Sequence, residues 1–277
     1  SKQTIQGAHV ILSGGAVASP QLLEVSGVGD GERLRTLGID VVHHAPDVGE
    51  HLQDHLLCKV VYATQPEHSI NREVQGLRLI PAALRWFFLR EGPLTTGSAP
   101  VGAFCHTRDG LEAPDVQIHF ASGGTLYNDA GKIRALKQPA VTAVVNQSRP
   151  ESRGSIHAKS ADIADAPVIA ANYLSSQLDR DTLLRGMRIL LNIFDQSELQ
   201  PYLNGRLSPD VETDLNDDGA LMAYIRREAS TVYHPTSTCS IGKVVDETLH
   251  VMGVEGLSVI DASVMPYVVS GNTNAAT

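Results

Sequence analysis

Cysteine is scarce in this chain. There are three in 277 residues (Cys58, Cys105 and Cys239), odd in number, widely spaced and in no CxxC pair. That argues against a disulfide framework and fits a reduced, cytoplasmic setting. Basic runs are missing too: none exceeds two residues, and 22 Lys and Arg against 31 Asp and Glu leave a net charge of −9. On that balance a nucleic-acid groove or an anionic membrane is a poor partner. Long hydrophobic runs are absent as well. Stretches such as 86–89 and 141–145 fall far short of the roughly 20 apolar residues a membrane-spanning helix needs. No charged-then-apolar leader opens the sequence, so secretion is not indicated. With 42% hydrophobic and 19% charged residues, the composition is that of a globular chain and excludes a disordered or fibrous one.

What is present is organised in three parts. Val10-Ile11-Leu12 before Gly14-Gly15 reads as a buried strand. Ser19 is a good N-cap with Pro20 in the first helical position, which predicts a helix over 21–26 closed by Gly27. Asp30 can cap a second short helix over 32–37, and residues 39–43 read as another strand. Strand, helices and strand in quick succession point to part of an α/β layer. The middle differs. Residues 116–120, 140–145, 155–159 and 168–173 read as strands without intervening helices, the pattern of an antiparallel sheet in an α+β region. Two helices accompany it: one over 72–89, interrupted or kinked at Pro81, and one over 180–196. The second places Leu183, Leu184, Met187, Leu190, Leu191 and Phe194 on one face. The last 50 residues turn glycine-rich, with 257–260 as a buried strand entering Asp261. The expected architecture is a sheet layer built from both ends with the middle inserted as a second domain. Both ends read as cut, and Thr273 or Asn274 would cap a helix whose body is missing. A fragment, or one half of a split protein, is therefore expected.

Four constellations could carry chemistry. The glycines of Ser26-Gly27-Val28-Gly29-Asp30-Gly31 could cradle a phosphate. However, a helix precedes them where the dinucleotide pattern needs a strand, so a helix end and turn is the better reading. His43, His44, His51 and His55 include an i, i+4 pair, a workable zinc spacing on a helix. The glutamate of the metalloprotease motif is missing, and no metal is expected. His234, held extended by Pro235 with Ser237, Thr238 and Cys239 nearby, could be a general base, although a lone histidine is more often structural. Cys239 has nothing nearby to activate it and reads as a packing residue. Asp261-Ala262-Ser263 follows a strand end, where α/β sheets bind ligands. Asn272 and Asn274 come soon after as oxyanion donors or as caps.

Together these pieces resemble one family. Gly15-Ala16-Val17-Ala18-Ser19-Pro20-Gln21-Leu22-Leu23-Glu24-Val25-Ser26-Gly27-Val28-Gly29 resembles the second diagnostic motif of the glucose-methanol-choline (GMC) flavoprotein oxidoreductases. Asp47-Val48-Gly49-Glu50-His51-Leu52-Gln53-Asp54-His55 is similar to the family's next landmark, where asparagine more often precedes Leu-Gln-Asp-His. Arg149-Pro150-Glu151-Ser152-Arg153-Gly154-Ser155-Ile156 resembles the start of its C-terminal region. Residues 233–239 and 261–277 resemble its catalytic end. The motifs come in the family's order and span nearly the whole chain. The resemblance is strongest to the choline/alcohol dehydrogenase branch.

The resemblance implies an α/β plus α+β fold. A discontinuous and incomplete FAD-binding α/β domain (1–56 and 233–277) would carry an inserted substrate domain on an antiparallel sheet (57–232, with the C-terminal GMC region from about 149). It implies FAD as cofactor, an alcohol as substrate, and a quinone-like molecule, another acceptor or O2 as electron acceptor, with a dehydrogenase favoured over an oxidase. His234 falls on the family's catalytic histidine and Asn272 on its partner position; Asp261, Ala262, Asn274 and Gly14 fall near the flavin. The implied reaction takes a hydroxyl proton onto an imidazole, whose ordinary pKa of about 6.5 suits a base near neutral pH. A hydride from the same carbon goes to flavin N5. The family's N-terminal strand, GxGxxG turn and helix are missing from these residues, so the isolated chain is expected to be inactive. The alternatives are a GMC-like lyase with non-redox FAD and a non-catalytic fragment or partner subunit.

Overall fold

The computed structural model describes residues 3–97, 99–127 and 133–277. They fall into two compact units. One comprises Ser1–His55, Arg149–Asp179 and Thr231–Thr277; the other comprises Leu56–Ser148 and Arg180–Ser230.

The first unit is built on a pair of short parallel strands, Val10–Leu12 and Leu257–Val259, with Val10 opposite Leu257. Its core is mostly β-branched: Val28, Val48, Val244, Val245, Val251 and Val259 pack with Leu23 and Cys239. The helix after the first strand runs over Gly15–Val25, starting ahead of the expected Ser19–Pro20 boundary. The cap comes from far along the chain. The Asp261 carboxylate accepts the Gly15 N–H at 2.9 Å and the Ser19 hydroxyl, while Ser19 Oγ accepts the Gly14 N–H at 3.0 Å. Pro20 therefore lies inside the helix and cannot donate to the Ala16 carbonyl one turn back. That carbonyl instead accepts the Thr238 hydroxyl at 2.7 Å.

Asp30 caps the next helix, Gly31–Thr36, as its sequence predicts, accepting the Arg33 N–H at 2.8 Å. That hydrogen bond holds the Asp30 carboxyl below its usual range. The strand predicted over 39–43 is reduced to His43–His44, because its parallel partner Val28–Gly29 is itself only two residues long before the Asp30 cap.

Residues 149–179 cluster with this unit, so the compact units depart there from the expected 57–232 boundary. Polar anchors account for it. The buried Glu24 carboxylate accepts the Ala158 N–H at 2.5 Å and pairs with His157 Nδ1 at 2.8 Å; His157 Nε2 pairs with Glu50 at 2.9 Å. Asp179 accepts the N–H groups of Glu151 and Ser152 at 2.9 and 2.8 Å. The antiparallel pair Ser155–His157 and Val168–Ala170 is held by these contacts. Gly49 allows the approach: it has φ +83, and a Cβ there would lie 2.2 Å from the Ile156 carbonyl oxygen.

The second unit carries an antiparallel sheet. Five of its strands lie in the order Leu203–Ser208, Leu56–Thr64, Ala140–Gln147, Val116–Ala121 and Val101–Cys105. The helix Gln177–Phe194 buries Leu183, Met187, Leu190, Leu191 and Phe194, the face its periodicity predicts, with Leu184 half-buried. Gly186 brings it close to the sheet, since a Cβ there would sit 2.9 Å from the Val145 side chain. Phe194 stacks on Tyr62 with ring centroids 4.5 Å apart. The helix predicted over 72–89 forms only over Leu79–Leu89, preceded by 3-10 turns at Ile70–Arg72 and Gly76–Arg78. Pro81 falls in its first turn, where a missing N–H breaks no helical bond, so it does not interrupt the helix.

Two substitutions test these packing claims by urea unfolding followed by circular dichroism. Gly49→Ala forces a side chain against backbone at positive φ and is expected to cost about 1–3 kcal/mol. Leu190→Ala, at a fully buried site, is expected to cost about 2–5 kcal/mol.

Candidate active site

The site lies in the first unit and is built from three stretches of sequence. Residues 52–55 run extended, with Leu52 bridged to Gly154 and Gln53 to Thr236. Gln53 and Thr236 exchange backbone hydrogen bonds at 3.2 and 2.8 Å, and the Val232 N–H reaches the His55 carbonyl at 3.0 Å. This short antiparallel pairing sets Asp54 and His55 against the turn that carries His234. The Gln53 side chain fixes two more segments, donating to the Pro150 carbonyl at 2.7 Å and accepting the Val268 N–H at 3.0 Å.

The Asp54 carboxylate is the polar centre. It accepts the His234 N–H at 2.9 Å through one oxygen, and the hydroxyls of Tyr173 and Thr231 through the other. Burial, and then the Asp54 charge beside it, push the Tyr173 phenol well above its ordinary range, so it stays protonated and donates. Tyr233, just before His234, has φ 63, a strained conformation for its type, held here by the surrounding pairing. An apolar cavity of about 210 Å³, bordered by Leu52, Ile156, Ile169, Tyr173 and Pro235, adjoins Asp54 and Thr231.

His234 is buried, and both of its ring nitrogens have neighbours. Nδ1 lies 2.9 Å from Nδ1 of the fully buried His55, with the two rings edge to face, and Nε2 lies 3.3 Å from the Asn272 amide nitrogen. An amide NH2 only donates, so this contact assigns a lone pair to His234 Nε2. A neutral ring that accepts at Nε2 carries its proton on Nδ1, the nitrogen that faces His55 Nδ1. His234 Nε2 thus faces the Asn272 amide.

The remaining predicted residues take separate places. Asp261 and Ala262 sit at the carboxyl end of Leu257–Val259, next to Gly14 and Gly15 at the end of Val10–Leu12. Asp261 spends its oxygens inside the protein, on Gly15, Ser19 and the Ser263 N–H at 2.7 Å. Asn272 and Asn274 are exposed. The glycine run at 26–31 ends one helix and enters the next: at Gly27, φ +87, a Cβ would lie 2.5 Å from the Asp40 carbonyl oxygen.

The histidine group does not converge. His44 accepts the Gly31 N–H, His51 pairs with Asp47 and Lys243, and His55 turns to His234. Among the described residues no group of three or more His, Cys, Asp or Glu side chains could hold a metal. Burial pushes the Cys239 thiol up to about 12, and it packs in the valine core. Sequence reasoning missed Asp54, Tyr173 and Thr231 as supports and weighed His55 only as a metal ligand; the Leu-Gln-Asp-His run was the available signal.

Two family models described as GMC oxidoreductase match the chain, one over residues 1–57 and one over 150–277. The chain belongs to the GMC oxidoreductase family. The mitochondrial choline dehydrogenase of Mus musculus is 39% identical over 275 residues, covering 97% of this chain and 45% of that protein. The oxygen-dependent choline dehydrogenase of Pseudomonas aeruginosa is 38% identical over 273 residues, covering 97% and 48%. The chain thus spans about half the length of these GMC relatives. Among solved structures, pyridoxine 4-oxidase from Mesorbium loti aligns with TM-score 0.78 at 25% identity, covering 97% of this chain and 48% of that one. A structure concerned with FAD modification in Aspergillus oryzae formate oxidase aligns with TM-score 0.87 at 24% identity, covering 97% and 52%. These neighbours share the mixed α/β fold.

Asp54→Asn tests the polar centre, because it sets an NH2 donor against donors and leaves one unsatisfied. It is expected to lower the unfolding free energy by about 1–3 kcal/mol, read as a fall in the thermal midpoint. Thr231→Val, which removes a single donor, is expected to cost less.

Proposed function

We propose that the protein containing this chain is an FAD-dependent oxidoreductase that oxidises an alcohol to an aldehyde or ketone, with His234 as proton acceptor. The observation that carries the reading is the His55–His234–Asn272 row, which leaves a lone pair on His234 Nε2 beside an amide donor. A substrate hydroxyl placed between Nε2 and the Asn272 NH2 would donate its proton to the first. Its oxygen would accept from the second as negative charge develops. His234 Nδ1 keeps its bond to His55 throughout, so the ring need not turn as it takes up the proton.

The residues present fit a large planar cofactor laid across the strand ends. Gly14, Gly15 and Ala262 offer no bulky side chain there, and a Cβ on Gly15 would have no atom within 4 Å, so its backbone is open to approach. The carboxyl ends of parallel strands are where α/β sheets receive such ligands. Gly14, Ala262 and Asn274 would hold FAD, with Asp261 shaping the turn behind them. Bound FAD supplies the hydride acceptor, while the chain supplies position and electrostatics.

A dehydrogenase is favoured over an oxidase because the mitochondrial choline dehydrogenase of Mus musculus is 39% identical and the oxidase structures 25% or less. The electron acceptor in this reading is a quinone-like molecule, another acceptor or O2. Among the described residues no helix is long and apolar enough to cross a membrane.

Anaerobic stopped-flow reduction of the complete, FAD-loaded protein by a panel of alcohols, choline included, is the test. Bleaching of the flavin by at least one alcohol is expected, and full FAD loading without bleaching by any of them overturns the proposal. His234→Ala is expected to slow reduction about a hundredfold or more, and Asn272→Ala by about a hundredfold, both with FAD retained.

A further inference from the structure

The helix Leu79–Leu89 in the second unit is apolar on nearly every side, yet it buries only Ala82. Helices of that composition are normally enclosed. Here Leu84 is 53% exposed, Phe87 61%, Phe88 71% and Leu89 63%. Trp86, the chain's one tryptophan, is 41% exposed and lies under the Arg90 guanidinium at 4.9 Å.

The charges around these side chains decide what could cover them. Arg78 precedes the helix, Arg85 sits within it and Arg90 ends it, all three exposed. Among the described residues only Arg85 of the three has an ion-pair partner, Glu91 at 3.2 Å. The stretch 78–91 thus holds three arginines and one glutamate in a chain of net charge −9. Net charge made an anionic surface a poor partner for the chain as a whole; this segment is a local exception. A dry protein cover would have to desolvate guanidinium groups that bring too few carboxylates with them.

The headgroup layer of a bilayer meets every requirement at once. Acyl chains take up Phe87, Phe88 and Leu84, phosphates meet the arginines as their stems snorkel outward, and an indole is suited to the boundary. The helix spans about 16 Å at ~1.5 Å per residue, roughly half a hydrocarbon core, so it would lie in the interface and not cross it. We infer that Leu79–Leu89 and its flanking arginines form a docking surface for an anionic lipid bilayer.

Flotation of the complete protein with vesicles of equimolar phosphatidylglycerol and phosphatidylcholine tests this, alongside phosphatidylcholine vesicles alone. The wild type is expected to float with the anionic vesicles, less so as salt is raised. Phe87→Glu/Phe88→Glu is expected to stay at the bottom with an unchanged circular dichroism spectrum. Arg78→Gln/Arg85→Gln/Arg90→Gln is expected to lose about a hundredfold in partitioning to the anionic vesicles only, which keeps the test valid if the double variant fails to fold. Three results would overturn the inference. They are a wild type that does not float, variants that float as well as wild type, and a wild-type dimer by light scattering that Phe87→Glu/Phe88→Glu makes monomeric.

Discussion

The Asp54 carboxylate holds together parts of the chain that nothing in their sequence separation would bring near one another. It collects the Tyr173 hydroxyl from one stretch, and the Thr231 hydroxyl and His234 N–H from another. An ionised carboxylate only accepts, so it can satisfy several donors without choosing among rotamers of its own hydrogens. Its burial raises the stakes, because each donor would be left without a partner if the carboxylate were neutralised or displaced. The strained φ at Tyr233 is maintained on these terms: the backbone before His234 is tied by its neighbours and not by its own preference.

The same device recurs at the strand ends. Asp261 serves as a helix cap for a helix 246 residues earlier and as the turn former for Ser263. Thr238 repairs the carbonyl that Pro20 leaves open. In each case a short polar side chain from the C-terminal segment answers a backbone group of the N-terminal one. The two segments therefore cannot be optimised separately: the Gly15–Val25 helix depends on Asp261, and the His234 turn depends on residues 53–55. A single compact unit assembled from separate stretches follows from that mutual dependence.

What could be read from the sequence divides along the same line. The face of Gln177–Phe194, the Asp30 cap and the β-rich middle were legible, because each depends on residues within a few positions. His234 and Asn272 stand out only through the family motifs, since spacing alone leaves each as an ordinary histidine or cap, and their roles remain the proposal made above. The start of the first helix was misplaced because Ser19–Pro20 carries a genuine local signal that the distant Asp261 overrides. His55 was weighed as a metal ligand because an i, i+4 pair has meaning only on a helix, and 52–55 is extended. Once a segment is extended, its partners lie across the pairing, at a sequence distance no local pattern encodes. The exposure of Leu79–Leu89 was hidden for a related reason: apolar content predicts a wish for cover and says nothing of whether the fold supplies it.

The row His55–His234–Asn272 also constrains the chemistry by what it leaves out. Many histidine bases are oriented by a carboxylate, which adds a full negative charge behind the ring. Here the group behind His234 is another imidazole, that of His55. The Asp54 carboxylate accepts the backbone N–H of His234. In the proposed reaction the charge that forms on His234 would lie between the His55 imidazole and Asn272. A base built this way, as proposed, would be oriented by the chain and completed by what binds in front of it. Proton uptake would then be coupled to occupation of the site.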